Sequence, residues 1–351
     1  MKKKSINGFG RIGRCITRWL HRMDSIEEIV AINDLMSIEQ ACLMLMLDSV
    51  HGPFSGRVEV KIVSEDEMYL VIDDHEIRYY QIKNPLDLPW AELEIDICIE
   101  CTGVIKEADD SAESKKLLRT SNHIKAGAKR VFITQPSPAA DVTICAEINE
   151  GVYQPDKHII ISPGSCTTNC LARMAKPLHD EFGIVSGWAD TIHAYTGDQR
   201  LHDLPHSNDR RWRAAAENII VTTTGAAKAI GIVIPELQGK LNGQAFRVPV
   251  ANGSVVNFTP ELAKSASIED VNACLKAASE GPMKGTLIFT DLPIASTDVI
   301  RDPFNSVPCV FDSTATASLP SGSKKPKLVG WYDNEAGFTE GAIKVLDMIE
   351  C

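Results

Sequence analysis

A short strand leading into Gly8-Phe9-Gly10-Arg11-Ile12-Gly13, an alternation of short strands with helical patterns as far as about Pro163, and longer strands beyond it predict the fold class. It is α/β: a Rossmann-type dinucleotide-binding domain with a mostly parallel sheet, then an α+β catalytic domain with a largely antiparallel sheet. The expected division is residues 1–165, joined by a C-terminal helix at 334–351, and residues 166–333. A chain of 351 residues is long enough for two packed cores.

The elements follow in order. Ile6-Asn7 ends the first strand, and Arg11 to His21 forms a helix with Ile12, Ile16, Trp19 and Leu20 on one face. Glu28 to Asn33 is the next strand, and apolar runs at 95–99, 130–133 and 158–162 continue the sheet. A helical pattern covers 112–126. In the second half, strands are expected at 185–192, 246–250, 254–258 and 328–331, with helices at 169–182 and 268–279. The tail from Asn334 is helical, with Phe338, Ala342, Val345 and Ile349 in one apolar stripe that must pack on something, the first domain being the expected partner.

Composition narrows the class of function. The hydrophobic share of 44% and charged share of 24% suit a globular chain. A formal charge of −11 argues against nucleic acid or an anionic membrane as the general partner. An anionic substrate would need locally placed arginines and backbone N–H groups. The basic start Met1–Lys4 is not followed by an apolar stretch, and no run approaches the ~18 residues of a membrane helix. A cytoplasmic protein is expected.

Among ten cysteines, Cys15, Cys42, Cys98, Cys145 and Cys274 lie in apolar-patterned segments and read as small hydrophobes. Cys98 and Cys101 have CxxC spacing, but residues three apart on a strand face opposite sides, so no metal site is expected there.

Gly8, Gly10 and Gly13 form G-x-G-x-x-G between a strand and a helix, a turn that lets backbone approach a pyrophosphate at a helix N-terminus. Asp34 lies about twenty residues further on, at the end of the second strand, where a carboxylate accepts ribose hydroxyls and repels a 2′-phosphate. NAD is therefore favoured over NADP.

Ser162-Pro163-Gly164-Ser165-Cys166-Thr167-Thr168-Asn169-Cys170 follows a strand and opens a helix. Cys166 falls at the helix N-terminus with Ser165 as the cap, a place that favours a thiolate by lowering the thiol's pKa. The hydroxyls of Ser165 and Thr167 suit a phosphate or an oxyanion, and Cys170, one turn on, reads as a packed thiol. The thiolate needs a base. Of nine histidines, His193 ends a strand at a polar loop, whereas His51, His75, His123 and His158 read as loop or helix-surface residues.

With those residues in view, the chain closely resembles the phosphorylating glyceraldehyde-3-phosphate dehydrogenase family, nearly end to end. The resemblance is carried by Ile6–Arg14 (INGFGRIGR), Ser165–Ala172 (SCTTNCLA), His193–Gln199 (HAYTGDQ), Thr223–Ala229 (TTGAAKA), Phe246–Pro249 (FRVP) and Trp331–Glu335 (WYDNE). It implies Cys166 as nucleophile and His193 as general base. It implies Ser165, Thr167, Thr224 and Gly225 as the site of attacking inorganic phosphate, and Thr196, Arg211 and Arg247 as the site of the substrate's C3 phosphate. Arg210 and Arg213 are close neighbours of Arg211 that compete for that assignment. Arg11, Ile12, Asp34, Thr134 and Asn334 resemble cofactor contacts, and Lys83 stands where an arginine near the adenine is common. Leu204-Pro205 matches a pair that excludes the NADP phosphate across a subunit interface, so the resemblance also implies a homotetramer.

The implied reaction is oxidation of glyceraldehyde 3-phosphate with NAD and phosphate, through a cysteine thioester, to 1,3-bisphosphoglycerate in glycolysis or gluconeogenesis. Departures are Gly164 for alanine, Phe338 for tyrosine, and a divergent stretch at 300–327 that is expected to be an altered surface loop. Erythrose-4-phosphate dehydrogenase, which shares the cysteine and histidine, is the nearest rival, and a binding protein without catalysis is the rival from another class. The intact phosphate loop Thr224–Lys228 favours the phosphate-using enzyme over the first. The presence of every catalytic residue type argues against the second.

Overall fold

The computed structural model describes residues 1–104, 120–305, 307–318 and 324–350. The chain divides into two compact units, one of residues 1–144, 151–164 and 342–351, the other of residues 145–150 and 165–341.

The first unit contains β1 (Lys4–Asn7), α1 (Arg11–Arg22), β2 (Ile29–Asn33), α2 (Ile38–Met46), β3 (Val58–Ser64), β4 (Glu67–Ile72), β5 (His75–Tyr80), β6 (Ile97–Glu100), α3 (Ser121–Lys125), β7 (Arg130–Ile133), β8 (Val142–Thr143) and β9 (Ile160–Ser162). Its sheet runs β8-β9-β7-β6-β1-β2-β5-β4-β3. The central strands are parallel, with Ile6, Ile32, Ile99 and Phe132 wholly buried, as strands covered on both faces require. β3, β4 and β5 extend the sheet as an antiparallel meander that the sequence reading did not resolve. The helix expected over 112–126 lies outside the described residues as far as 119; α3 is the part described.

His123, expected on a helix surface, is instead fully buried on α3. The Trp90 indole N–H donates to its Nδ1 at 3.1 Å, which leaves the ring proton on Nε2, 3.1 Å from Glu100 Oε2. The buried Glu100 carboxylate also accepts from Asn7 Nδ2 at 2.6 Å, from the Thr102 backbone N–H at 2.7 Å and from the Thr102 hydroxyl. Asn33 Nδ2 in turn donates to Asn7 Oδ1 at 2.7 Å. The side chains that end β1, β2 and β6 are thereby tied into one satisfied polar network.

The second unit contains α4 (Cys166–Phe182), β10 (Ile184–Ala194), β11 (Ile220–Thr223), α5 (Ala226–Val233), β12 (Leu241–Val248), β13 (Ser254–Leu262), α6 (Ile268–Glu280), β14 (Leu287–Thr290), β15 (Cys309–Asp312) and β16 (Pro326–Tyr332). The sheet order is β11-β12-β10-β13-β16-β15-β14, with β10 parallel to β12 and antiparallel to β13. Leu171, Met174 and Leu178 of α4 pack with Ile230 of α5 and Leu275 of α6 against Val256, Phe258 and Leu328 of the sheet. The final helix, α7 (Ala336–Met348), buries Phe338, Ala342, Val345 and Ile349 in its neighbourhood.

The stretch 300–327 is not simply a surface loop. Val307, Cys309, Val310 and Phe311 are buried, and the last three belong to β15 between β16 and β14. The apolar run was obscured by the Pro, Ser and Lys residues around it. Among the described residues no helix is long and apolar enough to cross a membrane.

α6 begins with a reciprocal cap: the Ser267 hydroxyl accepts from Asp270 N at 3.1 Å, and Asp270 accepts from Ser267 N at 2.9 Å. Ser267→Ala should therefore lower stability by about 1 kcal/mol, read as a lower urea midpoint, with kcat unchanged.

Candidate active site

Period-two alternation along β10 decides which residues reach the inner face. Ala189, Thr191 and His193 are buried there, while Trp188 is exposed. α4 begins at Cys166 because Ser165 is extended and its hydroxyl accepts from Thr168 N at 3.1 Å, the cap expected from sequence. These two elements bring Cys166 Sγ within 3.4 Å of His193 Nε2. Tyr332 on β16 joins them: its hydroxyl lies 2.8 Å from Thr167 Oγ1 and 2.8 Å from Thr191 Oγ1, and its ring meets His193 edge-on at 5.9 Å.

The register of β10 with β12 sets Arg247 directly beside His193. His193 Nδ1 is 2.6 Å from the Ala194 carbonyl, so it carries the proton and donates, leaving Nε2 as an acceptor facing the thiol. Arg247 Nη1 donates to the same carbonyl at 3.1 Å and to Thr196 Oγ1 at 3.3 Å. It also lies 3.2 Å from His193 Nδ1, a close approach of two donors rather than a hydrogen bond.

Arg211 stands nearby, with Nε donating to Thr222 Oγ1 at 3.2 Å and Nη1 to Asp198 at 2.6 Å. Its neighbours in sequence are elsewhere: Arg213 pairs with Asp203, and Arg210 lines a shallow cavity with Asn208 and Gln244. The structure thus brings Thr196, Arg211 and Arg247 together around His193.

Two influences act oppositely on the ionisation expected for Cys166. Although part of the residue is exposed, burial around the sulfur pushes the thiol up, against Arg247, the Thr167 hydroxyl and the backbone N–H groups at the helix start, which favour the thiolate. His193 is held down to about 3, by burial first and then by the charge of Arg247. Burial thus disfavours the charged form of both partners, while the helix start favours the thiolate. The local motif carried the helix end, but it did not carry the burial or the arginine brought in by strand pairing.

Ser165 Oγ also lies 2.6 Å from Thr168 Oγ1, and Thr224 Oγ1 accepts from Ala226 N at 3.2 Å. Gly225 is the residue before α5. Asn334 is buried, with Oδ1 accepting from Ser254 Oγ at 2.8 Å and from Gly253 N at 3.2 Å. Ser254 Oγ itself accepts from Ala194 N at 3.0 Å, which connects Asn334 to the end of the histidine strand.

Sequence reasoning missed Thr191, Asp198, Thr222 and Tyr332. Asp198 and Tyr332 lay inside motifs already singled out. The signal for Thr191 was its position two residues before His193 on the same strand face.

The first unit holds a separate cavity of about 330 Å³ lined by Asn7, Gly8, Gly10, Asn33, Asp34 and Lys83, with Cys101 and Thr102 on another side. Gly8 has φ +96°, and a Cβ there would come within 2.6 Å of Thr102 N. A Cβ on Gly13 would meet the Gly8 carbonyl at 2.3 Å. Only glycine permits this turn. Gly10 precedes α1, so the N–H groups of Arg11 and Ile12 open the helix. The Arg11 side chain turns to Asp48. Asp34 is oriented by accepting from Phe9 N at 2.6 Å and Met36 N at 3.0 Å. Thr134 donates from N and from Oγ1 to the Glu100 carbonyl, both at 3.0 Å. Open space at Gly10, helix-start N–H groups and an oriented carboxylate fit a dinucleotide.

Burial of the pair predicts a pH signature: with the thiol held up and the imidazole held down to about 3, thiolate should grow as pH rises while the imidazole stays neutral. Iodoacetamide alkylation of Cys166 should therefore rise through one inflection above the ordinary thiol range, with no second inflection between pH 4 and 7. A plateau across that acid range would show an ion pair instead.

Comparison with known proteins closes the identification. Residues 3–108 match the family described as "Glyceraldehyde 3-phosphate dehydrogenase, NAD binding domain", and residues 165–334 match "Glyceraldehyde 3-phosphate dehydrogenase, C-terminal domain". The chain is 44% identical to glyceraldehyde-3-phosphate dehydrogenase of Geobacillus stearothermophilus over 341 residues, 97% of this chain and 96% of that one. It is 45% identical to the protein of the same name from Mycolicibacterium smegmatis over 340 residues, 95% of this chain and 94% of that one. On these matches the chain belongs to the glyceraldehyde 3-phosphate dehydrogenase family.

Proposed function

We propose that Cys166 and His193 carry the aldehyde oxidation of this NAD-dependent, glycolytic enzyme, with glyceraldehyde 3-phosphate and inorganic phosphate as substrates. The observation that carries the reading is the 3.4 Å contact of Sγ with an imidazole nitrogen free to accept, flanked by a half-buried arginine.

In this reading Cys166 Sγ adds to the aldehyde carbon as its proton passes to His193 Nε2, and that N–H then donates to the substrate oxygen. Bound NAD supplies the hydride acceptor for the oxidation. Cys166 retains the carbon as a thioester, and a phosphate oxygen attacks that carbon and breaks the C–S bond to give 1,3-bisphosphoglycerate. Ser165, Thr167, Thr224 and Gly225 would hold the attacking phosphate. Thr196, Arg211 and Arg247 would hold the C3 phosphate, where guanidinium forks suit its oxygens. Gly8, Gly10, Gly13, the helix-start N–H groups of Arg11 and Ile12, Asp34, Lys83, Thr134 and Asn334 would hold the cofactor. The first unit is then the cofactor-binding domain and the second the catalytic domain.

The chain is further read as a cytoplasmic homotetramer with neither nucleic acid nor membrane as its primary partner. The exposed Leu201, Leu204 and Ile219 support an assembly surface, and the net charge of −11 supports the excluded partners.

NADH production from glyceraldehyde 3-phosphate should depend on phosphate or arsenate; equal steady-state rates without either would point to thioester hydrolysis instead. His193→Asn should lower kcat by about 10²–10⁴ while leaving NAD affinity within twofold of the parent (~10⁰ in fold-change). A variant that kept its full kcat would remove the imidazole from the reaction.

A further inference from the structure

An amide side chain is a donor at one end and an acceptor at the other, and its surroundings decide which end meets a ligand. The Gly253 N–H lies 3.2 Å from one end of the Asn334 amide and can only donate, so that end is the oxygen, Oδ1. The same N–H donates to Asn252 Oδ1 at 2.9 Å, so its hold on Asn334 is shared. Ser254 supplies the unshared bond. Its hydroxyl oxygen accepts from Ala194 N at 3.0 Å, and its one hydrogen goes to Asn334 Oδ1 at 2.8 Å. Ser254 is only 1% exposed, so water does not compete for that hydrogen. Among the described residues nothing accepts from Asn334 Nδ2. The N–H bonds of that nitrogen are the end left for a ligand, and the atom they suit is a carbonyl oxygen. Ala194, whose N–H is held by Ser254, is also the residue whose carbonyl accepts from His193 Nδ1 at 2.6 Å. One hydroxyl thus stands between the amide and the residue that fixes the imidazole.

We infer that Ser254 is a positioning residue: it turns the Asn334 amide so that Nδ2 is presented to the carboxamide carbonyl of the nicotinamide ring, and it ties that amide to the strand end that carries His193. The inference rests on the placement of Asn334 among the cofactor residues proposed above and goes beyond it, by assigning the orientation of the amide to a residue that acts through Asn334. Hydride leaves the carbon bonded to Cys166, so the ring that accepts it has to be set against the same strand end as the base. Without the Ser254 hydrogen, Oδ1 keeps only the shared bond and the amide is free to turn over. A turned amide would meet the carbonyl with its own oxygen. The buried Ala194 N–H would lose its acceptor in the same step.

The test compares the calorimetric Kd of NAD with that of ADP-ribose, which lacks the nicotinamide ring. Ser254→Ala should weaken NAD about five- to tenfold and leave ADP-ribose within about twofold, and Ser254→Thr, which keeps the hydroxyl, should restore the parent value. In the parent protein the acetylpyridine analogue of NAD, which keeps the carbonyl and lacks the NH₂ group, should bind within about threefold of NAD. The thiocarbonyl analogue, whose sulfur accepts poorly, should bind about fivefold or more weakly. The single-turnover burst of NADH at saturating NAD should slow about tenfold in Ser254→Ala. If Asn334→Ala leaves the preference for NAD over ADP-ribose unchanged, the cofactor reading of Asn334 falls and the inference with it. If that preference drops in Asn334→Ala but persists in Ser254→Ala, the cofactor reading stands and the positioning role is wrong. A burst that keeps the parent rate in Ser254→Ala at saturating NAD would remove the link to His193. Should Ser254→Ala fail to fold, the two analogues decide: lost affinity for the acetylpyridine compound with none lost for the thiocarbonyl one would mean that the amide presents its oxygen.

Discussion

One backbone carbonyl, that of Ala194, organises the cysteine–histidine–arginine cluster of the second unit. It accepts from His193 Nδ1 and from Arg247 Nη1. The first bond fixes the tautomer, so the other ring nitrogen has its lone pair toward Cys166. The second fixes a positive charge against the ring. Both follow from a parallel pairing of β10 and β12 that places residues 193 and 247 side by side. A slip of one residue in that register would turn the arginine to the opposite face of the sheet. The meeting of Cys166, His193 and Arg247 is therefore a consequence of strand pairing as much as of side-chain identity.

Much of this was legible in the chain, for reasons that differ by element. Gly8 and Gly13 announced their turn because a Cβ would clash with Thr102 and with the Gly8 carbonyl, and Gly10 leaves the space between them open. Ser165 announced the start of α4 because capping is local. The antiparallel meander at 58–80 stayed hidden, since β3 is mostly exposed and its pattern lacks a continuous apolar face. β15 stayed hidden because a four-residue buried strand among Pro and Ser residues has no periodicity to recognise. His123 was misplaced because its helix is five residues long, too short to define a face.

The ionisation of Cys166 illustrates a different limit. A helix N-terminus, a cysteine and three hydroxyl residues in sequence describe an anion site. What decides the proton is the balance between that local field and the burial of sulfur and imidazole by residues far along the chain. His193 is separated from Arg247 by 54 positions and from Tyr332 by 139, yet both touch it. Local motifs mark the helix start and the strand end; the energies of the groups there are set by contacts of long sequence separation.

The Tyr332 hydroxyl, seated between Thr167 and Thr191, has a mechanical meaning. An O–H group has one hydrogen, so it donates to one threonine and accepts from the other, and the two bonds hold the first turn of α4 at a fixed height above β10. Slow breathing of the helix against the sheet would otherwise vary the sulfur–nitrogen gap, to which proton transfer is acutely sensitive. The phenol acts as a spacer, and in the proposed mechanism the proton transfer would inherit its stiffness.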